Sequence, residues 1–177
     1  MTVKIEKIDD IKPADLSDLV QATEDAIRDN IGFNWITPPS RDVLETYWKG
    51  VILVPDRVLF CGRLDGTIVS AIQLVKPGAS KESTAFAASI EGHFVAPWAR
   101  GHGLAKMLLQ EAEHEARMLG YTLLKLSVRE TQQPAIALYE EQAFVLWGTL
   151  PYHEFVGGNM VAGKYYFKTI EPISGIV

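Results

Sequence analysis

Val95-Ala96-Pro97-Trp98-Ala99-Arg100-Gly101-His102-Gly103-Leu104-Ala105 is the stretch on which the reading of this chain turns. A strand-like run precedes it and a helix-like run follows it. Between them lies a short loop with two glycines and an arginine. The first backbone N–H groups of a helix have no intrahelical partner, and the helix dipole adds partial positive charge there. Glycines let a phosphate approach the main chain without a Cβ in the way. A phosphate-bearing ligand at this helix start is the physical expectation. No Gly-Lys-Ser/Thr closes the loop, so it is not a Walker A loop. It also lacks the three spaced glycines of the dinucleotide fingerprint.

The flanking elements follow from pattern. Val3 to Ile8 alternates apolar and polar residues and reads as a strand. Pro13 opens a helix carrying Leu16, Leu19, Val20, Ala26 and Ile27 at helical spacing. Asn30 to Pro39 is a loop holding Phe33 and Trp35, and Ser40 is the N-cap of a second helix. Arg57–Leu64 and Thr67–Leu74 form a hairpin about Asp65-Gly66. Cys61, inside it, reads as a buried structural thiol. Ser83 to Ala96 is the next strand, with Phe86, Ala88, Ile90 and Phe94 on its core face and Ser89, Glu91, His93 and Val95 opposite. A helix over Gly103–Leu119 ends at Gly120, with Glu111, Glu113 and Glu115 on a solvated face. Then come a strand (Tyr121–Val128), a short helix (Pro134–Glu141), a strand (Phe144–Leu150), a long connector (Pro151–Met160) and a last strand (Val161–Ile170). One α/β domain over residues 1–177 is expected.

Bulk properties narrow the class. Hydrophobic residues make up 47% and charged residues 22% of the chain, ordinary values for a globular protein. The formal net charge of −5 argues against a nucleic-acid surface. No apolar run approaches the roughly 20 residues that span a bilayer. With one cysteine there is no intrachain disulfide and no cysteine-based metal site, so a cytoplasmic protein without a metal is expected.

Arg100-x-x-Gly103-x-Ala105, preceded by Val95-x-Pro97, resembles motif A of the GNAT N-acetyltransferase superfamily, Gln/Arg-x-x-Gly-x-Gly/Ala. Gln132-Gln133-Pro134-Ala135-Ile136-Ala137-Leu138-Tyr139-Glu140-Glu141-Gln142-Ala143-Phe144 resembles its motif B, Asn-x-x-Ala-x-x-Leu-Tyr-x-x-x-Gly-Phe. Gln132 stands for the usual asparagine and implies a shifted contact to CoA. Ala143 stands for the usual glycine and suggests a turn that avoids positive φ. The resemblance covers roughly residues 57 to 170. It implies a mixed, mostly antiparallel twisted sheet of about six or seven strands with about four helices. Weaker likenesses, in Gly32-Phe33 and in Gly148-Thr149-Leu150-Pro151-Tyr152 with Tyr166-Phe167-Lys168, point to bacterial acetyltransferases of the tabtoxin-resistance kind. That group's strand aspartate falls on Ser127, which cannot serve as a base.

The resemblance implies acetyl-CoA as co-substrate, with its pyrophosphate on backbone N–H groups of Arg100, Gly101, His102, Gly103, Leu104 and Ala105. The Arg100 side chain chiefly shapes the loop, and Trp98 packs. A backbone N–H near Val95 is the oxyanion donor. Acetyl transfer to an amine requires removal of an amine proton, stabilisation of the carbonyl oxygen and protonation of the thiolate. Glu91, His93 or an ordered water is the base. Tyr139 is the acid. Phe33 and Trp35 in the first loop, with Tyr152 and His153 in the late connector, are expected to line the acceptor site. The expected reaction is direct transfer to a primary amine of a small molecule. A protein or peptide acceptor and a non-catalytic acyl-CoA-binding module are the alternatives. A homodimer is compatible with the family.

Overall fold

The computed structural model describes residues 1–31 and 33–177. Among them the order is β1 (Val3–Ile8), α1 (Pro13–Arg28), α2 (Arg41–Leu53), β2 (Arg57–Leu64), β3 (Thr67–Val75), β4 (Ala87–Val95), α3 (Leu104–Met118), β5 (Leu123–Arg129), α4 (Gln133–Glu141), β6 (Val145–Val156) and β7 (Asn159–Thr169). The strands form one seven-stranded sheet in the order β1-β2-β3-β4-β5-β7-β6. Pairs β1–β2, β2–β3, β5–β7 and β6–β7 are antiparallel. The β4–β5 pair is parallel, with Ala87–Ser89 beside Leu123–Lys125. A parallel neighbour needs a crossover connection, and α3 supplies it. The α/β class with a mixed, mostly antiparallel sheet and four helices is as expected.

The chain forms two compact units, Met1–Val75 with Glu91–Ala112, and Lys76–Ile90 with Glu113–Val177. In the first, α1 and α2 bury Leu19, Val20, Ile27, Leu44 and Trp48 in one core with Ile68, Val69, Phe94 and Leu104. Trp48 Nε1 donates to Thr23 Oγ1 at 3.0 Å, and Thr23 returns its own proton to the Leu19 carbonyl at 2.6 Å. The indole is thereby buried without an orphaned donor. Asp65 and Gly66 have φ of 49° and 89°, the mirror-image turn that suits twisted hairpins. Arg63 grips both oxygens of Asp15 at 2.8 and 2.9 Å and also Glu6 at 2.6 Å. The Arg63 bonds hold the Asp15 carboxyl below the usual carboxylate range, and the Lys4 ammonium first, with Arg63 second, does the same for Glu6. Cys61 is buried, and burial pushes its thiol well up, so it is inert as a nucleophile. Ser40 sits at the N-cap of α2, but its side chain makes no capping bond.

In the second unit β7 lies between β5 and β6. The expected connector over Pro151–Met160 is not a connector. β6 runs through Pro151 to Val156, and a two-residue turn at Gly157-Gly158 (φ 59° and 81°) leads into β7. Pro151 is tolerated because pairing slips between Leu150 and Glu154 and because β6 is the outermost strand. Glu113 is another departure. It is only 6% exposed and is paired with Lys168 and Arg117. Phe86, assigned to the core, is exposed, because the chain from Glu82 to Thr84 is a short 3-10 turn and the strand begins at Ala87.

Three helices end in the same hydrogen-bond pattern. After α1, the Ile31 N–H reaches the Ala26 carbonyl and the Asn30 N–H reaches Ile27, with φ 56° at Asn30. After α3 the matching bonds are Tyr121 to Ala116 and Gly120 to Arg117, with φ 88° at Gly120. After α4 they are Phe144 to Tyr139 and Ala143 to Glu140. Here the left-handed residue is Ala143, at φ 66°, so the turn does not avoid positive φ as the alanine suggested. The Phe144 ring against the Tyr139 ring, centroids 5.8 Å apart, completes the motif and holds the alanine in place. A left-handed alanine costs roughly 1–2 kcal/mol, and glycine's extra backbone freedom returns about 0.5–1 kcal/mol of that. Ala143→Gly is therefore expected to raise stability by about 0.5–1 kcal/mol. An unchanged or lower urea midpoint would contradict this.

Candidate active site

β4 delivers the chain into the loop that opens α3. Val95 and Ala96 are buried, and the Ala96 N–H donates to the Val69 carbonyl at 2.8 Å. A 3-10 turn over Pro97–Ala99 follows, then Arg100 in an extended conformation. Gly101 and Gly103 have φ of 83° and 77°, and a Cβ on either would meet nothing within 4 Å. Glycine is thus required by backbone angle, and the space beside both residues is open. The Gly103 carbonyl accepts from Met107 N–H at 3.1 Å, which makes Gly103 the last residue before the helix. The first N–H groups of α3 follow directly, with the dipole's positive end at the same place.

Two side chains tie this loop to α1. Arg100 Nη2 bonds Asp29 Oδ2 at 2.6 Å, and Trp98 Nε1 donates to Asp25 Oδ2 at 3.1 Å. Trp98 is expected to pack, yet it stays 57% exposed. His102 donates from Nδ1 to the Ala99 carbonyl at 3.0 Å, closing the loop on itself. Arg100 therefore spends its guanidinium on the loop's shape. The oxygen ligands of the site would fall to main-chain N–H groups.

Glu91 and His93 turn to different partners. Gly92 between them has φ 56°, which breaks the pleat and with it the alternation that would put both on one face. Glu91 is half exposed, and its Oε2 accepts from Arg57 Nη1 at 2.8 Å. His93 turns to α3, where Nε2 donates to the Ala105 carbonyl at 2.9 Å. Burial pushes the imidazole down to about 4 against the opposing pull of that bond. It is neutral at pH 7. Behind Glu91 lies a polar chain that sequence reasoning missed. Arg57 Nη1 also donates to Gln73 Oε1 at 2.7 Å, and Gln73 Nε2 donates to Tyr47 Oη at 2.9 Å. Burial raises the Tyr47 phenol. The available signal was Gln73, a lone amide in the otherwise apolar end of β3.

The first interhelical loop splits in its roles. Phe33 does not line a site. It is 6% exposed and packs against Trp48 and Phe94 in the core. An aromatic ring in a polar loop was read as a ligand contact when it is the loop's anchor. Trp35 is half-buried and meets Tyr47 edge-on at 5.1 Å, which places it next to the Gln73 chain. Gly32 lies outside the described residues.

In the second unit Tyr139 is buried on α4, against Phe144 and, at 6.5 Å, Tyr166. Burial raises its phenol well above the usual range, so it stays protonated across physiological pH. Gln132 caps α4, accepting from Ile136 N–H at 3.1 Å through its carbonyl. Tyr152 and His153 lie on strand β6 and not in a loop. Tyr152 is 75% exposed, and His153 packs against Tyr165 with its Nδ1 at 3.2 Å from that hydroxyl. Ser127, where the resistance subgroup has its aspartate, is exposed on β5 opposite Tyr165.

Known proteins carry the same pattern. The family model described as acetyltransferase (GNAT) family matches residues 19–144. The N-acetyltransferase of the hisH-hisA intergenic region of Azospirillum brasilense is 52% identical over 131 residues, 74% of this chain and 78% of that relative. An N-acetyltransferase from Staphylococcus aureus superposes with a TM-score of 0.83 at 19% identity, covering 97% of this chain and 100% of the other. A phosphinothricin acetyltransferase from Sinorhizobium meliloti, solved in complex with acetyl-CoA, gives 0.79 at 18%, covering 96% and 89%. The family model and the Azospirillum relative, together with the strand, glycine loop and helix described above, show that the chain is an N-acetyltransferase and belongs to the GNAT acetyltransferase family.

Proposed function

We propose that this enzyme moves the acetyl group of acetyl-CoA directly to the primary amine of a small molecule, within a ternary complex, as one catalytic domain over residues 1–177. The observation that carries the reading is the Arg100–Ala105 loop. Two left-handed glycines open onto free space at the start of a fifteen-residue helix. Such a helix start suits a pyrophosphate by charge and by hydrogen bonding. The N–H groups from Arg100 to Ala105 hold it, and Gln132 adds a contact to CoA. The Sinorhizobium neighbour with bound acetyl-CoA supports the choice of co-substrate.

The bonds balance simply. The amine nitrogen attacks the thioester carbon, the oxygen takes up charge against a backbone N–H near Val95, and the C–S bond then breaks. Glu91, directly or through a water, takes the amine proton. His93 is the weaker base, since burial depresses it and its Nε2–H is engaged. Tyr139 gives a proton or a hydrogen bond to the leaving sulfur. Trp35, beside Tyr47, supports an aromatic wall for a small acceptor, with Tyr152 and His153 as further contacts. A cytoplasmic setting fits a single, inert, buried cysteine. A homodimer would cover the apolar outer strand β6, where Val145, Trp147, Leu150 and Phe155 are exposed. Sedimentation as a monomer at micromolar concentration would count against that.

The test is CoA release from acetyl-CoA against amino acids, polyamines, aminoglycosides and short peptides, with a control lacking acceptor. Release that depends on a small amine supports the proposal and names the acceptor class. Release with peptides alone would replace the small molecule by a protein acceptor. Binding of acetyl-CoA without release would favour a sensor, and failure to bind it would overturn the reading of the loop.

A further inference from the structure

Gln73 is wholly buried in β3, with 0% of its surface exposed. A buried amide costs stability unless both of its ends are bonded, and here both are. Oε1 accepts from Arg57 Nη1 at 2.7 Å, and Nε2 donates to Tyr47 Oη at 2.9 Å. The same Arg57 nitrogen donates to Glu91 Oε2 at 2.8 Å. The two hydrogens of Nη1 are thus shared between the buried amide and the carboxylate. Because they lie in one plane at a fixed angle, the amide sets the direction in which the carboxylate is held.

A second observation meets the first at the same amide. β4 breaks its pleat at Gly92, immediately after Glu91. A Cβ on Gly92 would stand 2.7 Å from Gln73 Nε2 and 3.3 Å from its Cδ. The amide fills the space beneath the bend, so it bears on Glu91 through the backbone as well as through Arg57. Without such an anchor, an exposed arginine–glutamate pair is weak and wanders among rotamers. A general base must hold its oxygen within hydrogen-bond reach of the proton it takes.

We propose that Gln73 is the positioning residue of this enzyme's base, fixing Glu91 through Arg57 and through the bend at Gly92, with Tyr47 fixing Gln73 in turn. The proposal rests on the reading of Glu91 as the base. It assigns Gln73 no contact with substrate or acetyl-CoA.

The test is a double-variant cycle on kcat and KM, with acetyl-CoA and the most reactive amine of the acceptor panel. Gln73→Met keeps the volume and removes both hydrogen bonds. Expected is a loss of about tenfold in kcat with the KM for acetyl-CoA within about twofold. In a Glu91→Gln background the same change should cost less than about twofold, since the base it positions is already gone. An equal tenfold loss in both backgrounds would mean a merely structural role and overturn the proposal alone. A Glu91→Gln enzyme with full activity would overturn the reading of the base, and the proposal with it. If Gln73→Met does not fold by circular dichroism, Tyr47→Phe carries the same cycle. It frees Gln73 Nε2 and should cost about threefold in the Glu91 background and nothing measurable in the Glu91→Gln background. Equal losses in both would again overturn the proposal.

Discussion

Tyr139→Phe is expected to slow acetyl transfer by about 10²-fold while leaving the affinity for acetyl-CoA within about twofold. A positioned acid contributes roughly 10²–10⁴-fold to such a step, and its burial puts this residue at the low end. Burial raises the phenol well above the usual range. It therefore stays protonated, but it yields its proton reluctantly to a thiolate whose own pKa is near about 8.5. A strong hydrogen bond to the departing sulfur, short of full transfer, is what such a group supplies. Phenylalanine keeps the ring contacts with Phe144 and Tyr166, so the fold persists. Single-turnover rates isolate the chemical step, and no loss there would remove Tyr139 from the acid's role. The sign of the pH dependence follows from the raised value. The protonated form persists to higher pH, so Tyr139 contributes no alkaline decline below about pH 10.

What could be read in advance was local and strongly patterned. Asp65-Gly66 announced its hairpin because few dipeptides tolerate two left-handed residues in a row. Pro13 opened α1 where its missing N–H costs nothing. The glycine loop and the Leu138-Tyr139 helix were legible as motifs, and the sheet's mixed character followed from the resemblance they carry. The misses share a physical cause, since each residue's role is set by partners distant in sequence. Phe33 looked like a ligand contact until Trp48 and Phe94 closed around it. Glu91 and His93 looked like neighbours on one face, because period-two counting cannot see that Gly92 breaks the pleat. Pro151 looked like a strand breaker, and only its place on an outermost, slipped strand makes it harmless. Arg57 and Gln73 sit sixteen residues apart on β2 and β3, and nothing local marks them as one chain with Glu91.

Glu113 is the sharpest case, and the largest loss of stability is expected there. Its spacing with Glu111 and Glu115 reads as a solvated face, yet α3 turns it inward. Oε2 accepts from Lys168 Nζ at 2.8 Å, and Oε1 accepts from Arg117 Nη2 at 2.6 Å. Arg117 also bonds the Ile170 carbonyl at 3.0 Å, which ties the helix to the end of β7. Breaking a buried pair by removing one partner typically costs about 3–5 kcal/mol, because the other charge is left uncompensated. Glu113→Ala is expected to fall in that range, a large share of the roughly 5–15 kcal/mol that holds a domain together. Lys168 would keep the Phe144 ring, 5.9 Å from its nitrogen, and such a contact returns about 1 kcal/mol or less. The pair is not symmetric. Lys168→Met leaves Glu113 with Arg117, so its cost should be about 1–2 kcal/mol. Replacing both, with Glu113→Leu and Lys168→Met together, removes the desolvation penalty along with the attraction and should recover most of the loss. Urea unfolding at pH 7 separates these outcomes. Equal losses for Glu113→Ala and Lys168→Met would show that Arg117 contributes nothing, and a double variant no better than Glu113→Ala would show that the loss is one of packing rather than of charge.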